Sequence, residues 1–226
     1  MKKLLFTFFT LLYFTGISQT IVFHENFELP SLADSVTMDS VGSAVNQWAI
    51  SNTLSTQGLR SDSCTVSQND ISILTTDAFS TIGYSNVILK FSQICKIDFY
   101  NAAEIYVSGN SGVNWTKLIG ANYLGNGTFA AIGNKFTSTS YGTDWQPSNN
   151  SAIPVNSWWK YEQFNISSIV GNCSQVKIKF QLSDALNIGS SGNYGWLLDD
   201  IKVIGSISEL IPPNISLNQP ILIDSV

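Results

Sequence analysis

The chain reads as an all-β protein, a two-sheet antiparallel sandwich of the jelly-roll type. Three observations predict it. Apolar and polar residues alternate with period two along several runs, clusters of Gly, Asn and Ser separate those runs, and sustained helical periodicity is scarce. The longest run covers residues 87–99, where Leu89, Phe91, Ile97 and Phe99 share one face and Lys90, Ser92, Lys96 and Asp98 the other. In 104–108, Ile105 and Val107 oppose Glu104, Tyr106 and Ser108. In 176–183, Val176, Ile178, Phe180 and Leu182 oppose Lys177, Lys179, Gln181 and Ser183. Such alternation describes antiparallel strands with one buried and one wet face.

The turn signals fall where a meander needs them. Gly109-Asn110-Ser111-Gly112 predicts a hairpin joining 104–108 to 115–119. Further turns are expected at 125–127 and 189–193, and further strands at 21–27, 71–75, 158–166 and 196–204. Eight or more strands without a convincing helix fit two packed sheets.

Both ends of the chain differ from this middle. Lys2 and Lys3 precede an apolar run over 4–14, and Gly16 and Ser18 place small residues before a cut at Gln19, so 1–18 read as a cleaved secretory signal. The run would span only about 16 Å as a helix, too short for a hydrocarbon core of about 30 Å. No later stretch is apolar enough to cross a bilayer, so no membrane span is expected in the mature chain. Residues 19–206 form the expected domain. After it, Pro212-Pro213 and Pro220 before Ile221-Leu222-Ile223 suggest a linker and the truncated start of another module over 207–226.

Composition excludes one class and constrains another. With a net charge of −5 and no Lys/Arg cluster, the chain lacks the phosphate-neutralising footprint of a nucleic-acid binder. Cys64, Cys95 and Cys173 permit at most one internal disulfide, with three possible pairings, Cys64–Cys95 among them. Cys95 sits in the apolar alternation and reads as a buried small hydrophobe.

Two residue groups carry candidate chemistry. Strict alternation over 196–203 puts Asp199 on the same face as Leu197, Ile201 and Val203, where a carboxylate needs a partner. Glu25 shares parity with Phe23 and Phe27, and Glu28 lies just beyond. First and last strands of a jelly roll can lie together, so Glu25, Glu28, Asp199 and Asp200 are candidate ligands for a structural Ca2+. Otherwise the Asp side chains accept backbone N–H bonds and the Glu side chains are solvated. The second group is aromatic. Neighbours in a strand point to opposite faces, so in a regular strand one of Trp158 and Trp159 should enter the core; the other is a candidate platform for a sugar ring or a protein, unless loops cover both edges. Tyr141, Trp145 and the Gly-rich loop at 189–195 are the next candidates for a binding rim.

Support for catalysis is thin. His24 is the only imidazole, and the chain has no Gly-x-Ser-x-Gly elbow, no His-Glu-x-x-His motif and no phosphate loop.

Six stretches resemble a known family: FHENFE at 23–28, LKFSQICKIDFYNAAEIYVSGNSGVNWTKL at 89–118, GNKFTSTSYGTDW at 133–145, NSWWKYEQFNIS at 156–167, VKIKFQLSD at 176–184 and GNYGWLLDDIKV at 192–203. Together they resemble the MAM-like jelly-roll adhesin domains of secreted and cell-surface proteins from gliding-type Bacteroidota and, more distantly, cleaved adhesin domains. The resemblance implies a concanavalin-like sandwich, a type IX secretion context, a structural calcium near the end strands and an Ig-like module beginning near 209. The function it implies is a non-catalytic extracellular recognition or adhesion module, contacting a glycan or a protein. The alternative is a carbohydrate-binding module accessory to a secreted hydrolase. Either places the protein at the cell surface or in the medium, or in the periplasm if the chain ends at Val226.

Overall fold

The computed structural model describes residues 19–28, 36–41, 48–65, 70–145, 152–184 and 194–207. The expected signal, most of the Gly-rich loop and the 208–226 tail lie outside them. Eleven strands build two antiparallel sheets: β1 (Gln19–Glu25), β2 (Val36–Val41), β3 (Trp48–Ser51), β4 (Ser61–Cys64), β5 (Ile71–Thr76), β6 (Asn86–Lys96), β7 (Ala102–Ser108), β8 (Thr116–Lys117), β9 (Lys160–Asn165), β10 (Lys177–Ser183) and β11 (Gly195–Ser206). Among the described residues, the one α-helix, Ser167–Val170, is a single turn.

Successive strands switch sheets except at β3–β4 and β7–β8, which stay together. One sheet runs β3-β4-β11-β6-β9, with β1 also paired to β11; the other runs β2-β5-β10-β7-β8. The predicted alternation therefore becomes a closed core. Leu89 and Phe91 of β6, Ile105 and Val107 of β7, and Ile178 and Phe180 of β10 are all fully buried between the sheets. Phe91 meets Phe180 edge to face at 5.3 Å and lies parallel to Phe164 at 6.2 Å. Such aromatic pairs add to the large apolar area each ring removes from water.

The long strand β11 has two partners along one edge. Trp196–Leu198 pair with β4, and Ile201–Ser206 pair with β1. Between them the pairing with β6 shifts register, and Asp200 takes a left-handed φ of +52°. This bulge corrects the expected parity. Asp199 stays on the outer side with Leu197, while Ile201 and Val203 turn inward, because the extra residue flips the alternation once.

The three cysteines are free. Cys64 and Cys95 both sit opposite Trp196, on its two neighbouring strands. They are two strand spacings apart, roughly 9.5 Å, beyond the reach of a disulfide. The Cys64–Cys95 pairing is thereby corrected. Burial pushes the Cys64 thiol up to about 12 and the Cys95 thiol well above its ordinary value, so both behave as core side chains.

Candidate functional site

The four acids come from the expected end strands, which do pair. Each carboxylate, however, is held by a different set of protein donors. Glu25 Oε1 accepts the Phe27 N–H at 2.6 Å. Glu28 Oε1 accepts the N–H groups of Leu59 and Arg60, both at 2.9 Å, and Arg60 Nη1 donates to the Glu28 carbonyl at 2.7 Å. Asp199 Oδ2 accepts the Thr56 N–H at 2.6 Å and its hydroxyl at 2.7 Å, while Oδ1 accepts the Asp200 N–H at 2.7 Å. Asp200 takes His24 Nε2 at 2.8 Å and Lys202 Nζ at 2.7 Å.

Among the described residues, no group of three or more His, Cys, Asp and Glu side chains gathers to hold a metal. Glu25, Glu28, Asp199 and Asp200 are not gathered into one ligand set. Glu28 and Asp199 instead grip the loop over 54–60, which fills the seam where β1 ends and β4 begins. Gly58 is required there: its φ is +68°, and a Cβ would fall 2.3 Å from the Glu28 carboxyl carbon. Burial raises the Asp199 carboxyl despite its three hydrogen-bonding neighbours. Burial also pushes Asp200 up, but the hydrogen bonds from Lys202 and His24 outweigh it and leave that carboxyl below its ordinary range. Replacing Asp199 with Ala leaves the Thr56 donors unpaired. Urea denaturation should register a loss of about 2–3 kcal/mol, and a loss below half of that would remove this role.

Of the predicted binding aromatics, Trp145 and Trp158 are buried, and Tyr141 and Trp159 are half-buried. Trp145 is fully buried, and its Nε1 donates to the Trp158 carbonyl at 2.8 Å. Trp158 is 7% exposed and carries Lys96 Nζ over its ring at 5.4 Å. Trp159 is partly buried against the same core. The premise of alternation fails because Asn156–Trp158 form a 3-10 turn and β9 begins only at Lys160. Tyr141 lies edge-on to Trp145 and donates to Glu162 Oε1 at 2.6 Å.

Tyr141 belongs instead to a buried polar network. Glu162 is fully buried on the inner side of β9. Its Oε1 also accepts Gln93 Nε2 at 2.8 Å, and its Oε2 accepts the Tyr123 hydroxyl at 2.7 Å. Gln93 in turn accepts Trp196 Nε1 at 2.7 Å. Burial raises the Glu162 carboxyl, and the hydrogen bonds from Tyr141, Gln93 and Tyr123 oppose that rise.

The outward face of the β2-β5-β10-β7-β8 sheet holds what the sequence did not single out. Register aligns Thr37, Thr75, Lys179, Tyr106 and Lys117 in one stripe across all five strands. Lys179 Nζ lies 4.4 Å from the centre of the Tyr106 ring and 4.9 Å from that of Trp115, which precedes β8. The Tyr106 hydroxyl donates to Glu104 at 2.7 Å, and Lys117 Nζ meets the other Glu104 oxygen at 2.5 Å. In the next row, Gln181 stands opposite Glu104. Burial lowers the Lys179 ammonium, with Glu104 pulling the other way; burial and the bond to Glu104 raise the Tyr106 phenol. The period-two pattern had already sorted Lys177, Lys179 and Gln181, and Glu104 and Tyr106, onto polar faces. What it could not supply is that β10 and β7 are neighbours, so the two faces are one.

No protein-family model matches the chain, and no curated protein matches it in sequence. Solved structures do. The K2 cleaved adhesin domain of Lys-gingipain is 16% identical with a TM-score of 0.49, covering 82% of this chain and 99% of that one. The family 11 carbohydrate-binding module of the cellulosomal cellulase Lic26A-Cel5E of Clostridium thermocellum is 10% identical with a TM-score of 0.45, covering 87% and 99%. The CBM22-1 xylan-binding domain from Paenibacillus barcinonensis Xyn10C is 11% identical with a TM-score of 0.45, covering 86% and 99%. Among the described residues, no helix is long and apolar enough to cross a membrane.

Proposed function

We propose that the protein is a non-catalytic extracellular binding module and that it binds carbohydrate on the outward face of the β2-β5-β10-β7-β8 sheet. The observation that carries this is the Tyr106–Lys179–Trp115 cluster. It joins aromatic rings, whose faces suit the C–H side of a sugar ring, to fixed donors and acceptors suited to hydroxyl groups. A regular sheet supplies the rigidity that a shallow site needs, since Tyr106 and Lys179 are direct register partners.

The acids with raised pKa values support a non-catalytic reading. Asp62, Glu162 and Asp199 are each fully buried, where a substrate's glycosidic oxygen has no access. A hydrolase needs such a carboxyl in an open cleft, with a second carboxyl at working distance. The resemblance to secreted adhesin domains supports an address at the cell surface or in the medium.

Titration calorimetry against a polysaccharide panel tests this. Trp115→Ala and Tyr106→Ala should each weaken binding by roughly 30-fold, corresponding to about 2 kcal/mol for an aromatic anchor. Tyr161→Ala is the control, since Tyr161 is 51% exposed on the outward face of the other sheet. Loss of binding in that variant alone would move the site to the wrong side of the molecule for this proposal.

A further inference from the structure

We infer that the preferred ligand of this face is an anionic polysaccharide, one whose sugar rings carry carboxylate or sulfate groups. The inference rests on the proposed binding face and names its substrate class. It comes from a local charge that runs against the whole. The chain carries a net −5 and has eleven basic residues, yet on this face Lys117, Lys177 and Lys179 outnumber the acids, Glu104 and, by register, Asp39.

The three lysines are not equivalent. Glu104 takes Lys117 into an ion pair at 2.5 Å and accepts the Tyr106 hydroxyl with its other oxygen. The Glu104 charge still reaches Lys179 electrostatically, but both of its oxygens are engaged. Among the described residues, neither Lys179 nor Lys177 has a hydrogen-bond acceptor or a salt-bridge partner for its ammonium. Lys179 is half-buried between two rings, so part of its hydration is already stripped. A ring face attracts a cation but offers it no lone pair. Its N–H donors therefore remain available to an acceptor arriving from outside.

The geometry adds spacing to charge. Lys177 and Lys179 are two residues apart on one strand, so their stems rise from the same face about 6.6 Å apart. The Trp115 and Tyr106 rings lie beside the second of them. A sugar ring resting on an aromatic would bring a substituent at its edge to the Lys179 ammonium, and a neighbouring unit would reach Lys177. A neutral chain offers this pair only hydroxyls. A carboxylate or sulfate gives a charge-assisted hydrogen bond, roughly twice as strong as a neutral one.

Affinity electrophoresis and calorimetry of the full chain with three probes test the inference: polygalacturonate, a sulfated galactan and a neutral β-1,4-glucan. Binding to one or both anionic probes should exceed that to the neutral one and fall as salt rises. Lys179→Gln should weaken it about tenfold at unchanged melting temperature, and Lys177→Gln by less. Preference for polygalacturonate assigns the anion as carboxylate, and preference for the galactan assigns it as sulfate. Equal, salt-independent binding of all three, or of the neutral glucan alone, overturns the charge inference and leaves the carbohydrate face standing. Binding of none of them by the wild-type chain overturns both.

Discussion

Replacing Glu162 with Ala is expected to lower the stability of the protein by about 4 kcal/mol. The carboxylate is fully buried and accepts three hydrogen bonds, from Gln93, Tyr141 and Tyr123. Removing it strands all three donors in the interior, where each unpaired group costs roughly 1–3 kcal/mol, partly relieved by rearrangement. It also frees the segment over 118–145, whose Tyr123, Phe129 and Phe136 rings pack on Phe164 of the same strand. For a domain of this size a loss of that order shifts the melting temperature by roughly 8–16 °C. Glu162→Gln keeps the shape and one acceptor and should lose less than half as much. A Glu162→Ala variant melting within two or three degrees of wild type would show that the network does not hold the segment in place.

Asp62 should make the protein more stable in mild acid than in mild base. Burial raises its carboxyl to about 7, and the nearby Glu25 charge adds to the rise, while the backbone N–H of Ser63 works against it. Among the described residues, Oδ2 has no hydrogen-bond partner. The folded chain therefore keeps a proton that the unfolded chain, with a carboxyl near 4, gives up. The stabilisation is complete below about pH 4 and is lost as pH rises through about 7. Three units at about 1.4 kcal/mol each make the change roughly 4 kcal/mol. Glu162 and Asp199 are also raised, so a weaker slope of the same sign should remain in Asp62→Asn. Urea denaturation at pH 4.5 and pH 8 measures both. An Asp62→Asn variant with the wild-type slope would assign the effect elsewhere.

The strands that were legible in the sequence are those whose two faces differ. β7 and β10 alternate cleanly, as do most of β6 and β11 after its bulge, and the predicted ranges of all four match the observed ones to within a few residues. β4 was not seen because Ser-Asp-Ser-Cys carries no apolar contrast, and it is a strand by virtue of its pairing with β3 and β11. The candidate sites were less legible, each for its own reason. A single bulge inverted the parity of Asp199. A 3-10 turn removed the alternation on which the Trp158–Trp159 argument rested. The Tyr106–Lys179 contact joins residues more than seventy positions apart, so it exists only through strand register.

The pairing of β11 has a consequence for when the molecule takes shape. β1, among the earliest segments to leave the ribosome, finds its partner in β11, among the last of the described domain. β4 and β6 depend on the same strand. A nascent chain therefore has no complete six-stranded sheet to collapse into until Gly195–Ser206 emerge. Contacts across so much sequence close slowly. A chain cut before Gly195 therefore loses the shared partner of three strands at once.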